Sequence, residues 1–206
     1  MKPILSIIIM FYALQIYAQK TTEKTFTSEG ISTLVIDGSS VFKIRMETTK
    51  TNTISIQSLA EGEHSEQLVL LTEIKNNQLH VSSVYQPLFV ADNDKLSAHK
   101  LISIELIFLI PEQLDISISS NIASVFLSGN YNHVTIELMN GSFKANNFQG
   151  NLLVNTIHGD VEVETNQAIV EASSKHGNVN QEVLIEGNRE IILNSINGNI
   201  TVTKTE

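Results

Sequence analysis

The 206-residue chain contains no cysteine and no tryptophan, and three prolines. The missing cysteine excludes disulfides, thiolate metal sites and a cysteine nucleophile. It also excludes the lipid-modified cysteine that anchors a lipoprotein behind its leader. Aromatic residues make up 6% of the chain, so the core has to be built from Val, Ile and Leu, the usual fillers of strands. Basic residues are few as well: 13 Lys and Arg stand against 22 Asp and Glu, for a formal net charge of −9. They form no stripe, and phosphate contacts require clustered cations, so nucleic acid is excluded as a partner. The same charge disfavours adsorption to anionic lipid.

A hydrophobic run occurs at the start. Lys2 precedes Ile4–Leu14, which Ser6 alone interrupts, and Gln15-Ile16-Tyr17-Ala18 follows. Residues 1–18 read as a secretory signal peptide with Ala18 as the last residue removed, although Ile16 stands where a small residue is usual. The run is shorter than the roughly 20 residues that span a bilayer, and no second hydrophobic segment follows, so no integral span is expected after cleavage. Removing residues 1–18 takes one Lys and no acid, which moves the charge from −9 to −10. The expected location is therefore outside the cytoplasm: periplasm, outer surface or medium.

The rest divides into three parts. Residues 19–30 are polar and read as an extended lead-in. Residues 31–111 hold short apolar runs of strand type. Leu34-Val35-Ile36 ends at the turn pair Asp37-Gly38, Leu68–Ile74 ends at Asn76-Asn77, and Ile102–Ile110 is closed by Pro111. A 3.6-residue period is scarce, so helix is not expected. Asp92-Asn93-Asp94 could be read as a calcium loop, but no Gly or closing Glu completes the pattern.

Residues 112–206 repeat themselves. With Ala123, Gly141, Gly159, Gly177 and Gly198 as anchors, the steps are 18, 18, 18 and 21 residues. Seven before each anchor stand Ile116, Val134, Leu152, Val170 and Ile191; five before, Ile118, Ile136, Val154, Ala172 and Leu193. Three before are Ser120, Leu138, Thr156, Ser174 and Ser195. Two after are Val125, Phe143, Val161, Val179 and Ile200; four after, Leu127, Ala145, Val163, Gln181 and Val202. Steps of two place each set on one strand face, and the glycines mark corners. Asn140, His158, His176 and Asn197 before them, with Ser142, Asp160, Asn178 and Asn199 after, are turn formers. A second corner falls near Gly150, Asn166 and Gly187. Asn-Gly and Asp-Gly pairs also open hairpins, but a meander of hairpins does not demand one register in five columns. The expected fold is all-β: a single-stranded β-helix, or β-solenoid, with coils of 18–21 residues behind a β-rich N-terminal portion. Five coils would stack to roughly 24 Å. The polar tail Thr203-Lys204-Thr205-Glu206 is expected to shield the open end.

The segments Val154-Asn155-Thr156-Ile157-His158-Gly159-Asp160-Val161-Glu162-Val163 and Leu193–Val202 resemble the recurring unit of the bacterial putative-adhesin domains of unknown function, the auto-transporter adhesin-like head domains. Phe26 with Gly30-Ile31, Ile54-Ser55-Ile56, Leu79-His80-Val81 and Ile104-Glu105-Leu106 leading to Pro111 extend that resemblance over most of residues 26–202. It implies a β-solenoid on an exported envelope protein and no catalytic residues. Ala123 departs from the glycine pattern, so the first corner is expected to differ.

Chemistry-bearing residues are sparse. His158 and His176 share a repeat position, with Asp160 nearby, and would form a surface metal site if their corners were adjacent. Asn140 and Asn197 in the same column indicate instead that His replaces Asn at a turn. A calcium nonapeptide solenoid needs acidic repeats of nine, and here Asp160 is the single acidic corner residue. A polysaccharide lyase needs clustered acids beside a base, whereas none of Lys144, Lys175 and Arg189 stands in a column of clustered acids. Ser173-Ser174-Lys175 is not a nucleophile motif. Asn140-Gly141-Ser142 and Asn199-Ile200-Thr201 match a glycosylation sequon in turns rich in such residues. No catalytic, cofactor or metal residue is therefore assigned. The expectation is a non-enzymatic binding module presenting outward polar residues such as Glu162, Glu164, Asn178 and Thr201 to an envelope glycan or another envelope protein. The alternatives are a structural or sensory module that self-associates, and a glycan-active enzyme.

Overall fold

The structure, a computed structural model, describes residues 20–62, 64–86 and 103–205. The signal segment 1–18 and the Asp92–Asp94 loop lie outside the described residues. Fifteen strands form one sheet. They are β1 Lys20–Thr27, β2 Thr33–Asp37, β3 Lys43–Thr49, β4 Thr53–Glu61, β5 Leu68–Lys75, β6 Gln78–Tyr85, β7 Ser103–Pro111 and β8 Asp115–Ser120. Two long strands follow, β9 Ser124–Asn140 and β10 Phe143–His158. The last five are β11 Val161–Thr165, β12 Ala168–Ser174, β13 Val179–Gln181, β14 Arg189–Asn197 and β15 Ile200–Lys204.

The long strands bend, and each serves two rows of the sheet. One row runs β1-β4-β7-β3-β9-β10-β11-β15-β13; the other runs β5-β6-β2-β8-β9-β10-β14-β12. The bend in β10 falls at two bulges, between Asn146 and Phe148 and between Gln149 and Asn151. The alternating Val, Ile and Leu side chains of both rows point into one core, from Leu34 and Ile44 through Val125 and Ile136 to Leu193 and Val202. Phe148 and Tyr131 stack in it with ring centroids 5.5 Å apart.

This is a nearly closed, barrel-like mixed sheet, not the single-stranded β-helix expected from the repeat. Three findings overturn that expectation. Antiparallel pairs occur between β1 and β4, β4 and β7, and β5 and β6. N-terminal strands enter the repeat region's rows, β3 lying between β7 and β9, and β2 between β6 and β8. Finally, the chain turns back at its end. β15 inserts between β11 and β13, and β14 between β10 and β12. The anchor glycines thus stand in the spatial order 159, 198, 177.

The physical reason is that the repeat fixes which residues are equivalent, not which strands are neighbours. Phe143 pairs with Val125 and Val161 at the 18-residue offset, but Val161 then pairs with Ile200 and Ile200 with Val179. An apolar residue in the right column fills a slot whichever repeat supplies it. The longer final step provides the crossing. Residues 182–188 carry no strand, and Leu184 packs against the open end of the core. Of the tail expected to shield that end, Thr203 and Lys204 lie inside the sheet instead, paired to Glu164 and Thr165.

The opposite end is closed by side chains. The Lys20 amine donates to the Leu68 carbonyl at 2.8 Å, and the Lys24 amine to the Leu70 carbonyl at 2.8 Å and the Thr72 hydroxyl at 2.9 Å. These cations on β1 occupy carbonyls of β5, so the two rows meet there without strand pairing.

Candidate functional site: an apolar ladder on the second row

The anchor glycines build the corners. A Cβ on Gly159 would be driven into the Gly141 carbonyl oxygen, and one on Gly141 into the Ala123 carbonyl oxygen. Ala123 heads this series, which accounts for its side chain. The hydroxyl column three before the anchors caps the turns. Ser120 Oγ accepts the Ala123 N–H at 2.9 Å and donates to the Gly38 carbonyl at 2.7 Å. Ser174 Oγ accepts the Gly177 N–H at 2.9 Å and donates to the Gly198 carbonyl at 2.7 Å. Thr156 and Ser195 hold the same register position and are buried, yet their hydroxyl oxygens have no hydrogen-bond partner.

Along this column lies a groove of about 460 Å³. Its floor takes in Leu138, Thr156 and Ser195, which are paired across β9, β10 and β14. One residue further along each strand, Met139, Ile157 and Ile196 point out and are 49%, 37% and 42% exposed. On the other side of the column, Glu137, Asn155 and Asn194 form a polar ladder, and Asn194 Nδ2 donates to Asn155 Oδ1 at 3.0 Å. The result is an apolar strip beside a polar strip, repeated at the strand spacing of about 4.8 Å. Two residues before the anchor the sequence reads Asn121, Met139, Ile157, Lys175 and Ile196. Three apolar residues at an outward position are the signal from which the groove could have been read.

The residues weighed for chemistry in the sequence are placed as follows. His158 pairs with Asn140 and Asn197, and His176 reaches β14 through its N–H to the Ile196 carbonyl. β14 therefore stands between the two histidines, and their corners are not adjacent. Among the described residues no group of three His, Asp or Glu could hold a metal ion. Asp160 instead caps a corner. Its Oδ1 accepts the Asn199 N–H at 2.7 Å, and Asn199 Oδ1 accepts the Asn178 N–H at 3.0 Å. Asn140 is similarly engaged, donating to the Asn121 carbonyl at 3.1 Å. Glu162 lies on the outer face of the first row, where its carboxylate pairs with Lys144 at 2.6 Å. Among the described residues no helix is long and apolar enough to cross a membrane.

A solved structure from Clostridium sporogenes, described as a putative cell adhesion protein, superposes with a TM-score of 0.64 at 14% identity, covering 91% of this chain and all of that one. The two chains share a fold. A putative adhesin from Bacteroides fragilis superposes with a TM-score of 0.40 at 12% identity over 90% of this chain and 97% of its own. A Parabacteroides distasonis protein described as a putative lipid binding protein gives 0.30 at 12% identity over 91% and 97%. No family model matches the chain, and no curated protein does.

Proposed function

We propose that the chain is an exported, non-enzymatic, adhesin-like module of the cell envelope, and that it holds an envelope glycan in the groove along Met139, Ile157 and Ile196. The groove carries this reading. Its apolar strip suits the C–H faces of sugar rings, while Glu137, Asn155 and Asn194 offer donors and acceptors to hydroxyls. Sites for small ligands combine apolar lining with a few polar groups in this way, at volumes near this one. Glu137 is the one ionisable residue lining the groove, whereas hydrolysis of a glycosidic bond uses a pair of carboxyl groups. Export is supported by the reading of residues 1–18, and the adhesin-like role by the resemblance of the repeat unit. The name of the Clostridium sporogenes protein agrees with that role.

The test is a glycan-array screen of the purified protein beside its Ile157→Asp variant. A charge in the middle of the apolar strip should abolish retention of any glycan the parent holds. Retention by both proteins would place binding elsewhere, and retention by neither would end the glycan reading.

A further inference from the structure

In the first row, backbone donors pass from strand to strand in one direction. Val125 N–H donates to the Ser142 carbonyl, Phe143 N–H to Asp160, Val161 N–H to Asn199 and Ile200 N–H to Asn178. The next donor in this series is Val179 on β13, and among the described residues no strand lies beyond it. The second row ends in the same way at β12, which among the described residues pairs with β14 alone. At the other end of the sheet Lys20 and Lys24 occupy the edge carbonyls. The β12–β13 end carries only the strandless segment 182–188, with Leu184 packed on the core, and leaves apolar surface outside it, with Ile169 55% exposed, Val179 43% and Val183 93%. Open edges of this kind recruit another strand.

The sequence of β12 indicates which strand. Glu171-Ala172-Ser173-Ser174, with Lys175 directly after the strand's end, carries an acid two residues before Ser173 and a base two residues after it. Glu171, Ser173 and Lys175 are exposed, and Ala172 and Ser174 face the core side. Lys175 N–H donates to the Ser195 carbonyl. Backbone groups alternate sides along a strand, so Ala172 and Ser174 turn their N–H and C=O away from β14. We propose that two copies of this chain associate end to end, β12 pairing antiparallel with β12 of the second copy about a two-fold axis at Ser173. Ala172 then lies opposite the second copy's Ser174, and the pair exchanges both backbone hydrogen bonds. Glu171 lies opposite the second copy's Lys175, and the symmetry repeats that ion pair. A two-fold axis needs such a self-complementary patch. At a net charge of −9, non-specific association is opposed, so the matched charges select this register.

Sedimentation equilibrium of the expressed protein tests the pairing. The parent should show a concentration-dependent monomer–dimer equilibrium. Glu171→Lys and Lys175→Glu each set like charges opposite one another twice, and each should weaken the dimer by about tenfold or more. The double variant Glu171→Lys with Lys175→Glu rebuilds both pairs and should return to within about threefold of the parent. Both side chains are exposed, so folding, followed by circular dichroism, should not change. A parent that stays monomeric at about 0.5 mM, well above typical transient affinities, overturns the proposal. So does a dimer that ignores the single reversals, or one that the double variant fails to restore.

Discussion

The N–H of Asn199 donates to Asp160 Oδ1 at 2.7 Å across 39 residues of sequence. That bond marks the place where strand order leaves chain order, because it seats the returning strand β15 against β11. Asn199 then repeats the arrangement toward Asn178. Asp160→Ala should remove a charge-assisted bond and leave the Asn199 N–H to water, at a cost of about 1–2 kcal/mol. Asp160→Asn keeps an acceptor and should recover at least half of that. Urea midpoints of the three proteins, at equal slope, check this.

Gly159 is expected to be among the least replaceable residues. Any Cβ there meets the Gly141 carbonyl, at a corner that the Gly141 N–H holds against the His158 carbonyl at 3.0 Å. Gly159→Val should cost about 3 kcal/mol or more. Ala123→Gly at the head of the same series relieves no clash and should cost about 1 kcal/mol, through lost burial and added chain entropy. Similar losses from the two substitutions would show that the corner does not depend on close backbone approach.

The unpartnered hydroxyl of Thr156 allows a change in the other direction. Valine has nearly the same shape and nothing to desolvate, so Thr156→Val should leave stability unchanged or raise it by about 1 kcal/mol. The matching change at Ser120, whose hydroxyl serves three backbone groups, should destabilise by about 2 kcal/mol. Thermal melts of both variants distinguish a hydroxyl that caps a corner from one that does not.

The contrast between those two residues shows what the sequence could reveal. Burial period and corner residues were legible, because a Ser, Thr or Gly at a fixed offset is a local requirement. The column through Phe143, Val161 and Ile200 was legible for the same reason. That Ile200 sits between Val161 and Val179 was not, since all three are β-branched residues suited to the same slot. The side-chain closure between β1 and β5 was hidden too. It depends on Lys20 and Lys24 reaching carbonyls more than forty residues away. Likewise His158 and His176 looked adjacent by offset, until strand β14 separated them. The groove is not legible in the burial period, because Met139, Ile157 and Ile196 stand at outward positions, where the repeat leads one to expect polar residues.

Tyr131 provides a pH-dependent check on the bend between the two rows. Its hydroxyl lies 3.0 Å from the Ser128 carbonyl and 3.1 Å from the Met46 carbonyl, and its ring stacks on Phe148. Burial pushes the phenol well above its ordinary pKa, with a further rise from the Glu47 charge and an opposing effect from the Ser128 bond. The folded state therefore holds this proton at a pH where the unfolded chain releases it. The stability tied to the neutral phenol is fully present below about pH 10 and declines as pH rises past it. At neutral pH, Tyr131→Phe should cost about 1–2 kcal/mol, because the hydrogen bond is lost while the ring remains. Above about pH 10 the parent loses stability that the variant does not, so the gap should narrow and then reverse. Urea unfolding of both proteins at neutral pH and near pH 11 checks the sign, and a gap that stays constant would mean the phenol ionises as readily in the folded protein as in water.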